Sequence, residues 1–271
     1  MKVAVIQMVS GTSLDDNLRA ARALLEHAAQ GGAELAVLPE YFCLMGHRDT
    51  DKLALRETAG SGVIQQFLAD TARALQIWIV GGTLPMATDA PDRVRNTTLV
   101  FDPTGACVAR YDKIHLFRFS NGAEQYDEGR VIDAGDTPVQ FDLQARSGQR
   151  WRVGLSVCYD LRFPELYRAH ARAGADLLLV PSAFTHTTGQ AHWEVLLRAR
   201  AVENLAYVLA PAQGGVHANG RHTWGHSMLV DPWGSILAQR DQGAGVVAGE
   251  LDAQRLSAVR AQLPALTHRV L

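Results

Sequence analysis

Cysteine is scarce: the 271 residues hold three, Cys43, Cys107 and Cys158. An odd set without CxxC pairing or zinc-ligand spacing suggests neither a disulfide framework nor a structural metal. Charge of one sign is lacking too. Lysine and arginine number 26 against 28 aspartates and glutamates, a net charge of −2, so neither nucleic acid nor an anionic membrane is expected as a partner. No long apolar run is present. The opening MKVAVIQMVSG meets polar residues too soon for a signal peptide and far too soon for a membrane span. A reducing cytoplasm is the expected compartment. There is no Gly-rich dinucleotide fingerprint, Gly81-Gly82 and Gly214-Gly215 being better read as turns, and no organic cofactor is expected. Linkers, low-complexity stretches and charge runs are absent. That leaves a single domain over 1–271, whose last residues, about 263–271, look like an arm with no element of their own to join.

What is present is an ordinary globular balance, 47% apolar and 20% charged, in a chain long enough to bury a large core without staples. VAVIQM predicts a short buried strand. Ser13 then caps a helix through LRAARALLEHAA, with Asp15 and Asp16 in its first turn and Gly31-Gly32 as the stop. ELAVLP is a second strand, a helix follows over roughly 62–75, and IWIVGG is a third strand. NTTLVFDPTGACVARYDK reads as a hairpin turning at Asp102-Pro-Thr-Gly105. The βα rhythm returns with WRVGLSVC, a helix opened by Pro164, the strand ADLLLVP, the helix HWEVLLRARAVEN and the strand AYVLAP. GHSMLVDPWGSILAQR repeats the hairpin, turning at Asp231-Pro-Trp-Gly234. The pattern is two βα half-units, each closed by a hairpin, in an α/β sandwich.

The strongest local signal is GLSVCYDLRFPE, where an apolar strand ends on Cys158 and a turn led by Asp160 feeds a helix. A thiol there stands at the carboxyl end of a strand, where open α/β sheets place their sites. It also lies near backbone N–H groups and a helix N-terminus, which favour thiolate and supply oxyanion donors. Cys43, in YFCLMG, and Cys107, inside a hairpin strand, read as small hydrophobes. Glu40 follows ELAVLP at the end of its own strand. It is either a solvated loop carboxylate or a base facing the same rim as Cys158. Lys113, in RYDKIHLF, must snorkel or pair with acids. His217, His222 and His226 share a Gly-rich loop without carboxylates nearby, and no metal site is expected there.

Glu40, Lys113 and Cys158, in that order, resemble the Glu–Lys–Cys triad of the nitrilase superfamily of carbon–nitrogen hydrolases. The motifs are LAVLPEYF, RYDKIHLF and GLSVCYDLRFPEL. PSAFTHTTGQAHWEVLLRARAVEN and GHSMLVDPWGSILA are similar to the family as well, so the resemblance spans nearly the whole chain. It implies a four-layer αββα sandwich, a homodimer paired through helical layers, and a second glutamate after the lysine, followed seven residues later by a glycine. Glu128 with Gly135 fits that spacing and the nearby Glu124 does not. TTGQAHWEVLLRARAVEN and RAQLPALTHR most resemble the Nit branch and its amidases for deaminated glutathione. The alternatives within the family are ω-amidases acting on 2-oxoglutaramate, N-carbamoyl amidohydrolases and nitrilases.

The resemblance implies a reaction. Glu40 takes the proton of Cys158, and the thiolate attacks an amide carbonyl. Lys113 and the backbone N–H of Tyr159 hold the oxyanion. Glu40 protonates the departing amine, and water then releases the acid from a thioester, with Glu128 keeping Lys113 in register. A small-molecule amide is the expected partner, with neither metal nor cofactor. Arg162, on the turn after Cys158, tunes the thiol, pairs with Asp160 or Glu165, or clamps a substrate carboxylate bidentately. Phe184 and Thr188 would add an apolar wall and a hydroxyl for a 2-oxo group. A binding or scaffold protein on the same fold would be expected to lack a triad member, and a redox sensor would need a resolving thiol near Cys158.

Overall fold

The computed structural model describes residues 1–122 and 125–270. Its first half runs β1 (Lys2–Gln7), α1 (Leu14–Gln30), β2 (Leu35–Val37), α2 (Val63–Leu75) and β3 (Trp78–Val80). Ser13 caps α1 by accepting the Asp16 N–H at 3.3 Å, and Asp15 and Asp16 face the positive end of the helix. The half closes with β4 (Leu84–Ala87), β5 (Val94–Phe101) and β6 (Cys107–Asp112). Between β5 and β6 the Gly105 N–H donates to the Asp102 carbonyl at 2.9 Å, with Gly105 at φ +82, as the DPTG turn requires. A small ribbon, β7 (Arg118–Ser120) with β8 (Gln125–Asp127), stands apart from both main sheets.

The second half runs β9 (Gln140–Gln144), β10 (Arg150–Leu155), α3 (Pro164–Arg172), β11 (Leu177–Leu179), α4 (His186–Asn204) and β12 (Tyr207–Ala210). α4 opens at His186, ahead of the apolar run that begins near His192, because the Thr185 hydroxyl accepts the Thr188 N–H and caps it there. After a short hairpin, β13 (Gly214–Val216) and β14 (His222–Trp224), the half ends in β15 (Ser227–Val230) and β16 (Ile236–Arg240). The chain finishes with β17 (Gly245–Glu250) and α5 (Ala253–Gln262), neither of which the sequence patterns pointed to. β17 lies antiparallel to β1, Lys2 opposite Glu250 and Gln7 opposite Gly245, so the last strand completes the first sheet.

The first sheet has the order β17-β1-β2-β3-β5, with β4 and β6 both on β5; the second is β16-β15-β12-β11-β10-β9. In each the three central strands are parallel and their neighbours antiparallel. Strand alternation divides the residues of β1. Val3 and Val5, with Val37 and Val80, face the second sheet and share a core with Val153, Leu177 and Leu209. Ala4 and Ile6 face the other way and pack beneath α1 and α2 through Leu25 and Leu68. Trp193 and Leu197 of α4 belong to the core of the second sheet. Each such fully buried aliphatic side chain contributes roughly 1.5–3 kcal/mol. The result is the four-layer αββα sandwich. Beyond α5 the described tail, 263–270, is exposed except for the half-buried Leu266.

Candidate active site

Cys158 sits where β10 gives way to a tight 3-10 turn, Cys158–Arg162, and its backbone is left-handed at φ +51. That conformation costs a residue with a Cβ about 1–2 kcal/mol and persists only where the surroundings enforce it. They do so here. The Cys158 N–H donates to the Pro181 carbonyl at 3.0 Å. The buried Asp160 carboxylate accepts the Val157 N–H at 2.8 Å, the His115 N–H at 3.0 Å and the Tyr111 hydroxyl at 2.6 Å, with the His115 ring nitrogen at 2.7 Å. Tyr111 and His115 flank Lys113, so one carboxylate ties the Cys158 turn to the lysine segment. Among the described residues, no hydrogen bond engages the Tyr159 N–H.

Glu40 follows β2 through Leu38 and Pro39 and is buried, as is Lys113 after β6. One Glu40 oxygen accepts from Lys113 Nζ and from Asn96 Nδ2, each at 2.9 Å; the other accepts the Ala183 N–H at 3.0 Å. Gly82 lets the end of β3 approach this segment, since a Cβ there would lie 2.0 Å from the Pro39 carbonyl oxygen. Lys113 Nζ also donates to both oxygens of Glu128, at 3.0 and 2.8 Å. Glu128 in turn accepts the Tyr41 hydroxyl and the Phe117 N–H, each at 2.7 Å. Gly135 closes this side. Its N–H donates to the Lys113 carbonyl at 2.8 Å, and a Cβ would lie 2.1 Å from the Asp112 carbonyl oxygen. Of the two openings the sequence left for Lys113, the structure takes pairing with acids.

These charges govern one another. Burial alone pushes the Lys113 ammonium down, but Glu128 and Glu40 together hold it well above the usual lysine range. Burial also works against the Glu128 carboxylate, and Lys113 with its hydrogen bonds holds it below the usual range. The Cys158 thiol is pushed well up, first by burial, then by the Glu40 charge and a hydrogen bond to that carboxylate, with Lys113 opposing. Burial and two carboxylates outweigh the one ammonium and the pull of the turn and helix N-terminus, which favours the neutral thiol.

A pocket opens on Cys158, lined also by Phe117, Tyr159, Arg162, Phe184 and Thr188. The half-buried Arg162 pairs with neither Asp160 nor Glu165. Its guanidinium lies 5.7 Å from the Tyr159 ring centroid and 5.6 Å from that of Phe184, with Nη1 3.2 Å from His192 Nδ1. Phe184 packs on Trp193, ring centroids 4.9 Å apart, and the Thr188 hydroxyl meets that of Thr185 at 2.9 Å. Cys43 is buried elsewhere, its thiol 3.7 Å from the Thr83 carbonyl and pushed up to about 12 by burial; Cys107 is exposed. Glu124 lies outside the described residues. His217 bonds the Ser10 carbonyl and the Thr223 hydroxyl, at 2.9 and 2.8 Å, and His226 stacks on Trp224.

Sequence reasoning missed Asn96, Tyr41 and the bracing role of Asp160. Asn96 is the first of three consecutive buried polar residues in β5, with Thr97 and Thr98, so polarity alone could not single it out. Tyr41 adjoins Glu40 and is itself left-handed at φ +57.

A model of the carbon-nitrogen hydrolase family matches residues 2–261. The chain is 43% identical over 270 residues to a protein of Synechocystis sp. named deaminated glutathione amidase, covering 98% of this chain and 97% of that one. The crystal structure of Saccharomyces cerevisiae Nit3, described as a member of branch 10 of the nitrilase superfamily, superposes with a TM-score of 0.87 at 30% identity, covering 100% of this chain and 97% of that one. An amidase mutant from Nesterenkonia sp. AN1, which shows Michael addition of acrylamide at the active site cysteine, superposes with a TM-score of 0.77 at 28% identity, covering 97% and 98%.

Proposed function

Because the chain belongs to the carbon–nitrogen hydrolase family, it is an enzyme that hydrolyses an amide C–N bond, and we propose that its substrate is deaminated glutathione, cut to 2-oxoglutarate and cysteinylglycine. The observation that carries this substrate is Arg162, a half-buried guanidinium without a carboxylate partner among the described residues, on the same pocket as Cys158. A planar fork so placed suits the carboxylate of a 2-oxo acid, with Phe184 as wall and Thr188 as hydroxyl for the 2-oxo oxygen.

The reaction begins with Glu40 taking the Cys158 proton, a step made necessary by the neutral resting thiol. Sulfur attacks the amide carbonyl, and the oxyanion is held by Lys113 and the Tyr159 N–H. Glu40 returns the proton to the departing amine as the C–N bond breaks, leaving an acyl thioester on Cys158. Glu40 then draws a proton from water, whose oxygen attacks the thioester; the C–S bond breaks, the acid is freed, and Glu40 returns the proton to the Cys158 sulfur. Glu128 and Tyr41 hold the ammonium in place through this cycle, and Asn96 with the Ala183 N–H holds the base. The chain is read as one catalytic domain with a short arm, working in the cytoplasm, where unpaired cysteines persist. A homodimer through α4 is supported by Val195 and Val202, 61% and 45% exposed on that helix.

Amine release from paired 2-oxo and 2-amino amides tests the substrate. Deaminated glutathione should exceed glutathione by at least about a hundredfold in kcat/KM, roughly 2.7 kcal/mol. Arg162→Lys should raise KM, since the charge stays and the fork is lost. Equal turnover of the two forms overturns the assignment, and faster release from 2-oxoglutaramate would move it to an ω-amidase.

A further inference from the structure

We infer that Lys52 and Arg221 form a second cationic pole at the mouth of the site, which binds a carboxylate at the far end of the amine half of the substrate. This rests on the amidase reading above and adds to it the feature that separates peptide-like amides from small ones. Lys52 lies in the 3-10 segment Asp49–Leu55 that follows the Glu40 loop, and Arg221 precedes β14. The Lys52 ammonium stands 5.1 Å from the ring centroid of Tyr41, whose hydroxyl donates to Glu128. The Arg221 guanidinium stands 5.2 Å from the Tyr126 ring, with Nη1 3.6 Å from Met45 Sδ. Asn219 fastens the two loops together, its Nδ2 donating to the Gly46 carbonyl at 2.6 Å.

The pole is connected to the pocket by one aromatic wall. Tyr126 meets Phe117 at 5.6 Å, Phe117 meets Tyr159 at 5.2 Å, and Tyr159 carries Arg162 at 5.7 Å. Arg162 and Arg221 therefore cap opposite ends of a surface that passes Cys158. Two extended residues reach roughly 7 Å, a length suited to a dipeptide leaving group lying along Phe117 toward Tyr126.

The pole differs from Arg255 and Arg260, two half-buried arginines that pair with Asp231 at 3.1 Å and with Asp176 at 2.7 Å. Neither Lys52 nor Arg221 has a carboxylate within ion-pair distance among the described residues. Glu128 is the anion they flank, and it is already engaged by Lys113. Burial pushes the Lys52 ammonium down, Glu128 and Asp49 oppose this only in part, and the Arg221 charge lowers it further. An incoming carboxylate relieves both the desolvation and the mutual repulsion. Ammonia as leaving group would gain nothing from this arrangement.

The test uses the full chain and two substrates, the 2-oxoglutaryl amide of a dipeptide with a free C-terminal carboxylate and the same compound capped as a carboxamide. In the wild type, capping should lower kcat/KM at least tenfold, mainly through KM. In Lys52→Met and in Arg221→Gln that capping penalty should shrink, and in the double variant it should vanish. Lys52→Arg should restore most of it, and Arg162→Lys should keep it in full, because Arg162 acts on the other half. A wild-type enzyme indifferent to the cap, or variants with an undiminished penalty, overturns the pole while leaving the amidase reading intact. Wild-type failure to cleave either compound while other amides are cleaved overturns the substrate reading and the pole with it.

Discussion

The strand ends of the two half-units match in position and differ in what they carry. At the carboxyl end of β1 the chain passes through Ser10, whose hydroxyl donates to the Phe42 carbonyl at 3.0 Å and whose backbone is unstrained. At the matching end of β10 it turns through Cys158 at φ +51. β2 is followed by Glu40, with its four hydrogen-bond donors spread over both oxygens counting the thiol. β11 is followed by Pro181 and Ala183, whose carbonyl accepts the Cys158 N–H and whose N–H donates to Glu40, respectively. One half thus supplies a buried carboxylate and ammonium, the other a buried thiol, and the proposed mechanism makes them base, oxyanion donor and nucleophile.

The largest effect should come from breaking that division at the nucleophile. Cys158→Ala should abolish hydrolysis, whereas Cys43→Ala and Cys107→Ala should leave most of it; mass spectrometry of a trapped acyl or alkyl adduct should find it on Cys158. Loss of activity in step with labelling of Cys43 would contradict the assignment.

Next is the ammonium. Lys113→Ala should lower turnover by about 10²–10³ as an oxyanion donor is lost. It also leaves Glu40 and Glu128 facing each other unpaired, so the melting temperature should fall while the circular dichroism spectrum is retained. Turnover within threefold of wild type would reduce Lys113 to a structural counter-ion.

Glu40→Gln sharpens the comparison because it separates two roles. Turnover should fall steeply with loss of the base. Yet the Glu40 charge holds the Cys158 thiol up, so its removal lowers that pKa. The pH profile of iodoacetamide alkylation should shift toward lower pH in a less active enzyme. An unshifted profile would mean that burial alone keeps the thiol neutral.

A smaller effect concerns the outer layers. Val195→Glu on α4 should shift a dimer toward monomer by light scattering, while Val63→Glu on α2, 60% exposed at the outset, should leave the mass unchanged. A wild-type monomer at micromolar concentration would dispose of the dimer.

Much of this molecule was legible in its residues. Periodicity and turn chemistry located β1 through α2 and both DP-turn hairpins, since those elements are specified by neighbours a few positions away. β17 and α5 escaped. GVVAGE is short and rich in small residues, and becomes a strand because β1, some 240 residues earlier, offers it an edge. The motifs around Glu40, Lys113 and Cys158 pointed to a triad, but the charge balance did not follow from them. A helix N-terminus favours thiolate in isolation, and the tertiary packing, burial first and then the Glu40 charge, pushes the Cys158 thiol the other way. The same holds for Asn96, Tyr41 and Asp160, each separated in sequence from at least part of the group it supports. By itself the sequence determined most element types, the family and the strand–turn–helix setting of Cys158, all consequences of local pattern. The tertiary structure alone decided which groups share a buried volume, because pKa, strain and hydrogen-bond partnership depend on distance in space rather than along the chain.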